Sequence, residues 1–139
     1  MNVERLERQA AAGSVVAKTV LGTCYLDGID VAVDHERALS LLTQAAELGA
    51  ARAMVNLGRM HEFGLATQPD LERAAQWYRR GASSGEFLGW IYLARLQSRA
   101  GDRAEARESY RQALGLADRV IDCETELSEA RNFLSGTTE

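Results

Sequence analysis

Residues 14–49 read SVVAKTVLGTCYLDGIDVAVDHERALSLLTQAAELG, and residues 50–85 read AARAMVNLGRMHEFGLATQPDLERAAQWYRRGASSG. Laid one on the other without a gap, they agree at Ala17/Ala53, Leu21/Leu57, Gly22/Gly58, Gly28/Gly64, Asp34/Asp70, Glu36/Glu72, Arg37/Arg73, Ala38/Ala74, Ala46/Ala82 and Gly49/Gly85. The shared positions are small residues, helix starters and helix stoppers, so what repeats is a structural unit. In the first copy Val16, Val20, Cys24 and Ala17, Leu21 follow helical spacing. Gly28 stops that helix, Asp34 starts a second one, and Gly49 ends it. In the second copy Gly64 is the same stop and Pro69-Asp70 the same start. Each unit is therefore a pair of helices. Gly22/Gly58 and Ala38/Ala74 are expected to let the two helices of a pair approach closely.

The pattern extends both ways. Leu6, Ala10 and Gly13 align with Leu42, Ala46 and Gly49, so residues 3–13 read as a half repeat that supplies one helix. Downstream, Leu93 takes the place of Leu57 and Ala94 that of Gly58. The loop then contracts by four residues, so that Asp102 aligns with Asp70, Ala106 with Ala74 and Tyr110 with Tyr78. The expected organisation is one domain: a half repeat (3–13), repeats at 14–49 and 50–85, a shortened repeat at 86–115 and a tail at 116–135. In the tail, Leu116, Val120, Cys123, Leu127, Ala130 and Leu134 recur at steps of four and three. This predicts one amphipathic helix that caps the stack, with a coiled-coil seam as the alternative. The fold class is all-α: an α/α solenoid of antiparallel helix pairs with a C-terminal capping helix.

Composition agrees. The chain has 139 residues, 46% hydrophobic and 26% charged, with one proline and 6% aromatics. This is an ordinary globular composition, too poor in strand formers for a β protein. Sixteen basic and twenty acidic residues give a net charge of −4. A general binder of nucleic acid or of anionic membrane would carry a basic excess, so neither is expected. The first eight residues contain no apolar core of a signal peptide, and no apolar run has membrane-spanning length. Cys24 and Cys123 form no CxxC pair and read as small buried residues on two helices. These features predict a cytoplasmic location.

The repeated pattern Ala-x-x-x-Leu-Gly-x-x-Tyr/His-x-x-Gly, followed by Asp-x-Glu-Arg-Ala-x-x-Trp/Leu-Tyr/Leu and Ala-x-x-Gly, resembles the Sel1-like repeat of the tetratricopeptide superfamily. Residues 101–114 resemble an ordinary tetratricopeptide second helix. The chain departs from the pattern at His61, where tyrosine is preferred, and at Ala94 and Ser109 of the third unit. The resemblance implies a bacterial-type binding scaffold, since relatives act as adaptors, regulators or neutralising partners of toxins. It also implies that the first helices of the units line a concave, partner-binding surface.

On that surface Arg52, Asn56 and Arg59 share one face of the second unit, and Leu88, Tyr92, Arg95 and Arg99 share one face of the third. The matching positions of the first unit are Val16, Val20, Thr23 and Asp27. Residues 50–99 carry seven basic and four acidic side chains, against an acidic excess on either side. A basic middle in an acidic chain predicts an acidic peptide, a carboxylate or an acidic protein surface as partner. Asn56 among arginines faintly resembles the carboxylate clamp of some tetratricopeptide domains, without the clamp's usual lysine placement. Trp90 is expected to pack between helices and Tyr92 to be the more exposed.

No catalytic constellation emerges. His35 follows a predicted N-cap and reads as a solvated first-turn residue; His61 takes a half-buried, tyrosine-like position. There is no HExxH, CxxC, GxSxG or P-loop pattern, so no catalytic residue, metal ligand or cofactor site is assigned. The expected function is a non-catalytic interaction module. The alternative is a small cytoplasmic immunity protein that neutralises a toxin, and an enzyme is a distant third. The N-terminal edge from Leu6 to Ala12 could also be covered by a second copy of the chain.

Overall fold

The side chains of Asn2, Ser14, Asp34 and Asp70 each turn back on the chain. Each oxygen accepts a hydrogen bond from the backbone N–H three residues on, at 3.0–3.2 Å. Each thereby satisfies a donor that the first helical turn leaves without a partner. Behind them run α1 (Val3–Ala11), α2 (Val15–Asp27), α3 (His35–Glu47) and α5 (Leu71–Ser83). The computed structural model describes residues 2–136 and adds α4 (Ala51–Phe63), α6 (Phe87–Arg99), α7 (Arg103–Leu114) and α8 (Glu124–Ser135). No strand occurs among the described residues.

α2, α4 and α6 begin and end at steps of 36 residues, in register with the glycine spacing. α2/α3, α4/α5 and α6/α7 form the antiparallel pairs of an α/α solenoid, with α1 packed on α2 and α8 on α7. The connections 28–34 and 64–70 match in length, and 100–102 is four residues shorter, as the sequence alignment requires.

Small residues set the spacing within and between pairs. A Cβ on Gly58 would lie 2.5 Å from the ring of Tyr78, and one on Gly22 would lie 2.8 Å from Leu42. These are the close approaches expected of α4/α5 and α2/α3. Between pairs the close approach is to backbone rather than to a side chain. A Cβ on Gly89 of α6 would lie 2.7 Å from the backbone nitrogen of Ala82 and 2.8 Å from the carbonyl of Tyr78 on α5. The apolar interior runs along the stack in three connected stretches. One is built on Leu21, Leu42, Leu57 and Met60, a second on Val55, Tyr78 and Leu93, and a third on Phe87, Ile91, Tyr110, Leu127 and Phe133.

The tail differs from the single helix expected over 116–135. Ala117–Arg119 form one 3-10 turn, Val120 is extended, Asp122 takes a left-handed conformation (φ 57°), and α8 starts only at Glu124. Adjacent β-branched Val120 and Ile121, flanked by Asp118 and Asp122, favour this break over a continuous helix. The apolar stripe survives in another form. Leu116, Val120 and Cys123 reach the third stretch of core from the loop, and Leu127, Ala130 and Phe133 reach it from α8. Ile121 is left 84% exposed. Cys123 accordingly precedes a helix and is only partly buried, whereas Cys24 is buried inside α2. Among the described residues no helix is long and apolar enough to cross a membrane.

Candidate partner-binding site

Three carboxylates hold successive layers together in the same way. Glu7 of α1 accepts the hydroxyl proton of Tyr25 on α2 at 2.5 Å and two bonds from Arg37 on α3 at 2.7 and 2.9 Å. Glu62 of α4 accepts from Tyr78 of α5 at 2.6 Å and pairs with Arg99 of α6. Glu129 of α8 accepts from Tyr110 of α7 at 2.6 Å and takes a fork of bonds from Arg95 of α6 at 2.7–3.1 Å. Charge-assisted pairs of this geometry are among the stronger polar contacts.

Ionisation reflects the arrangement. Burial alone would raise the Glu129 carboxyl, but hydrogen bonds from Arg95 and Tyr110 outweigh it and hold it below its ordinary value. Burial, then the bond to a carboxylate, pushes the hydroxyls of Tyr78 and Tyr110 far above the usual tyrosine range. For Arg95 the bonds to Glu129 reinforce the charge and outweigh the opposing burial.

Arg59, Tyr92, Arg95 and Arg99 come together as the sequence predicts. With Phe63 and Ser98 they line a cleft of about 430 Å³ between α4, α6 and α8. Its cations are all engaged. Besides the pairs of Arg95 and Arg99, Arg59 donates Nη2 to Asp27 at 3.0 Å and Nη1 to Asn56 Oδ1 at 3.2 Å. Burial opposes the charge of Arg59, and the bond it donates to Asp27 outweighs that cost. The Nη1 of Arg95 makes none of the described bonds.

Two observations together decide the family: the 36-residue register of α2, α4 and α6, and a match of the Sel1 repeat model to residues 15–49 and 51–86. The chain belongs to the Sel1 repeat family. Sel1 repeats generally mediate protein–protein interaction, and the family is generally non-catalytic. A Sel1 repeat protein from Oxalobacter formigenes superposes with a TM-score of 0.70 at 23% identity, over 80% of this chain and 47% of its own. The protein c5321, a protective antigen of uropathogenic Escherichia coli with an SLR fold, superposes with a TM-score of 0.73 at 28% identity, over 83% of this chain and 26% of its own. The chain thus spans less than half the length of either protein.

The other predicted residues lie outside the cleft. Arg52 opens α4 and approaches Glu86 at 4.0 Å. Asn56 is buried; its amide nitrogen donates to Thr23 Oγ1 at 2.9 Å and its oxygen faces Arg59. The amide nitrogen thus ties the second Sel1 repeat to the first, while the oxygen is taken up by Arg59 of its own helix. Leu88 packs against the second and third stretches of core. Trp90 and Tyr92 are both half-buried and both pack against the core, Tyr92 with its ring 5.5 Å from that of Tyr78. In the first repeat Val16 is 74% exposed, beside Leu6 and Ala12 of the N-terminal edge.

The histidines are apart. His35 is the first residue of α3, half-buried. His61 is buried, with 9% of its surface exposed, rather than half-buried, and burial followed by the charge of Arg73 lowers its pKa. No group of three or more metal-ligating side chains occurs among the described residues.

What sequence reasoning missed is the acid side of the site. The spacing placed the arginines on helix faces but assigned no role to Glu62 or Glu129. The signal available was their combination with the tyrosines at matching places, Tyr78 and Tyr110.

Proposed function

We propose that this Sel1 repeat chain is a non-catalytic interaction module that takes a segment of a partner protein in the concave cleft between α4, α6 and α8. One observation carries the reading: Arg59, Tyr92, Arg95 and Arg99 converge on one cleft with an exposed aromatic, Phe63, at its edge. Arginine and aromatic side chains in a concavity are the usual anchors of protein interfaces. The partner segment is acidic and adds to guanidinium groups that are already oriented, in particular at Nη1 of Arg95. The held arginines lose little freedom on binding, which favours affinity.

Charge reversal of Arg59 or Arg95 would break an internal ion pair, so position 98 gives the cleaner test. Ser98 lines the cleft, and its side chain makes no described bond. A photo-crosslinking residue at position 98 should capture one stoichiometric partner in the native host, and Ser98→Trp should abolish that complex. The same residue at position 104, on exposed α7, should capture nothing. A partner captured at 104 and untouched by Ser98→Trp overturns the reading.

A further inference from the structure

A second cleft, of about 500 Å³, opens where the end of α4 and the start of α5 face the end of α6 and the start of α7. Its floor is apolar, from Ala75, Leu93 and Leu96, and its mouth holds Phe63 and Leu71, which are 60% and 57% exposed. The opening has a cause in the sequence. In the second repeat the connection 64–70 carries Leu65, which packs into the core formed with the first repeat. The third repeat connects its helices through residues 100–102 alone and has no counterpart of Leu65. The corresponding apolar ground of the second repeat is therefore left uncovered.

The rim is acidic. Glu72, Asp102 and Glu105 border the cleft. Asp102 stands at the start of α7, but its side chain makes no capping bond, unlike Asp34 and Asp70. Glu72 has no described hydrogen bond or ion pair, and Glu105 accepts only a 3.5 Å bond from Gln97. Of the two cations at the rim, Arg99 is held by Glu62, which leaves Arg79 against three carboxylates.

We infer that this cleft docks a basic amphipathic helix of a partner protein: one or two large apolar side chains enter between Phe63 and Leu96, and flanking lysines or arginines meet Glu72, Asp102 and Glu105. The volume suits such side chains, and helix-in-groove binding uses this combination of apolar floor and charged rim. The site adjoins the first cleft, with which it shares Glu62, Phe63 and Arg99, but it prefers the opposite charge and does not depend on the function proposed there.

The probe is a fluorescein-labelled helical peptide with leucines on one face and lysines on the other, titrated with the full chain by anisotropy. Its twin has every lysine replaced by glutamate. The lysine peptide should bind, weaken with salt, and outcompete the twin. Glu72→Lys with Glu105→Lys should weaken it about tenfold, and Phe63→Ser should weaken it similarly. Glu4→Lys with Glu47→Lys, an equal change of net charge on distant exposed positions, should leave it unchanged, as should Ser98→Trp. Equal binding of the twin, equal loss in the distant variant, or indifference to the rim and Phe63 variants would overturn the inference. Melting curves of the rim and Phe63 variants matching wild type assign any loss to docking.

Discussion

The Tyr78 hydroxyl donates to Oε1 of Glu62 at 2.6 Å, and the acceptor side chain is only 6% exposed. Glu7 receives Tyr25 in the same way but keeps 33% of its side chain in water. Deleting a hydroxyl costs most where the remaining partner cannot turn to solvent. Tyr78→Phe should therefore destabilise the fold by about 1–3 kcal/mol, and Tyr25→Phe by roughly 1 kcal/mol or less. Urea denaturation of the two variants measures the difference.

Glu129 makes the acid limb of stability steeper. Its folded pKa lies below the ordinary value of 4.5. A depressed carboxyl contributes stability that is fully present above the unfolded pKa and is lost as pH falls through the folded one. Glu129→Gln should remove that contribution. The variant should be less stable than wild type at neutral pH, and the two curves should converge as pH drops below the ordinary carboxyl range. Thermal melts at a series of pH values check the convergence.

Gly89 and Gly58 rank the close approaches. Alanine gains up to about 1 kcal/mol in helix propensity over glycine. At Gly58 the new methyl meets a side-chain ring, but at Gly89 it meets the backbone of α5 on two atoms. Overpacking costs typically about 1–3 kcal/mol, so both substitutions should destabilise, Gly89→Ala the more. Chemical denaturation orders them, and the reverse order would mean that α6 slides more easily than Tyr78 turns.

Asp70 and Asp102 occupy equivalent places and should respond differently. Asp70 Oδ1 accepts from the Arg73 N–H at 3.0 Å; Asp102 makes no such bond. Asp70→Ala should cost about 1 kcal/mol, while Asp102→Ala should change stability by roughly half a kcal/mol at most. Matched melting experiments settle the pair.

The architecture was legible because it is written twice. Glycines and caps at steps of 36 mark the places where a helix must stop, start or meet another, and few residue types fit those places. The tail was not legible: a stripe at alternating four and three steps describes apolar contact with a core, and a 3-10 turn with an extended residue delivers Leu116 and Val120 to that core as well as a helix would. At the candidate site Arg59, Tyr92, Arg95 and Arg99, which the spacing put on helix faces, line one cleft. The spacing could not show their pairing, because Asp27, Glu62 and Glu129 approach from other layers of the stack, 32 to 37 residues away. The bond of Asn56 was hidden for the same reason, since Thr23 meets it from the preceding repeat.

The carboxylate that quiets Arg95 is carried by α8, a helix that touches the rest of the stack mainly through α7. The charge of that wall of the cleft and the seating of α8 are therefore linked. While the helix is docked, that wall is electrically balanced. If the helix lifts away, Glu129 leaves with it and a bare guanidinium is turned toward whatever occupies the cleft. The charge on this wall of the cleft thus depends on a helix at one end of the solenoid.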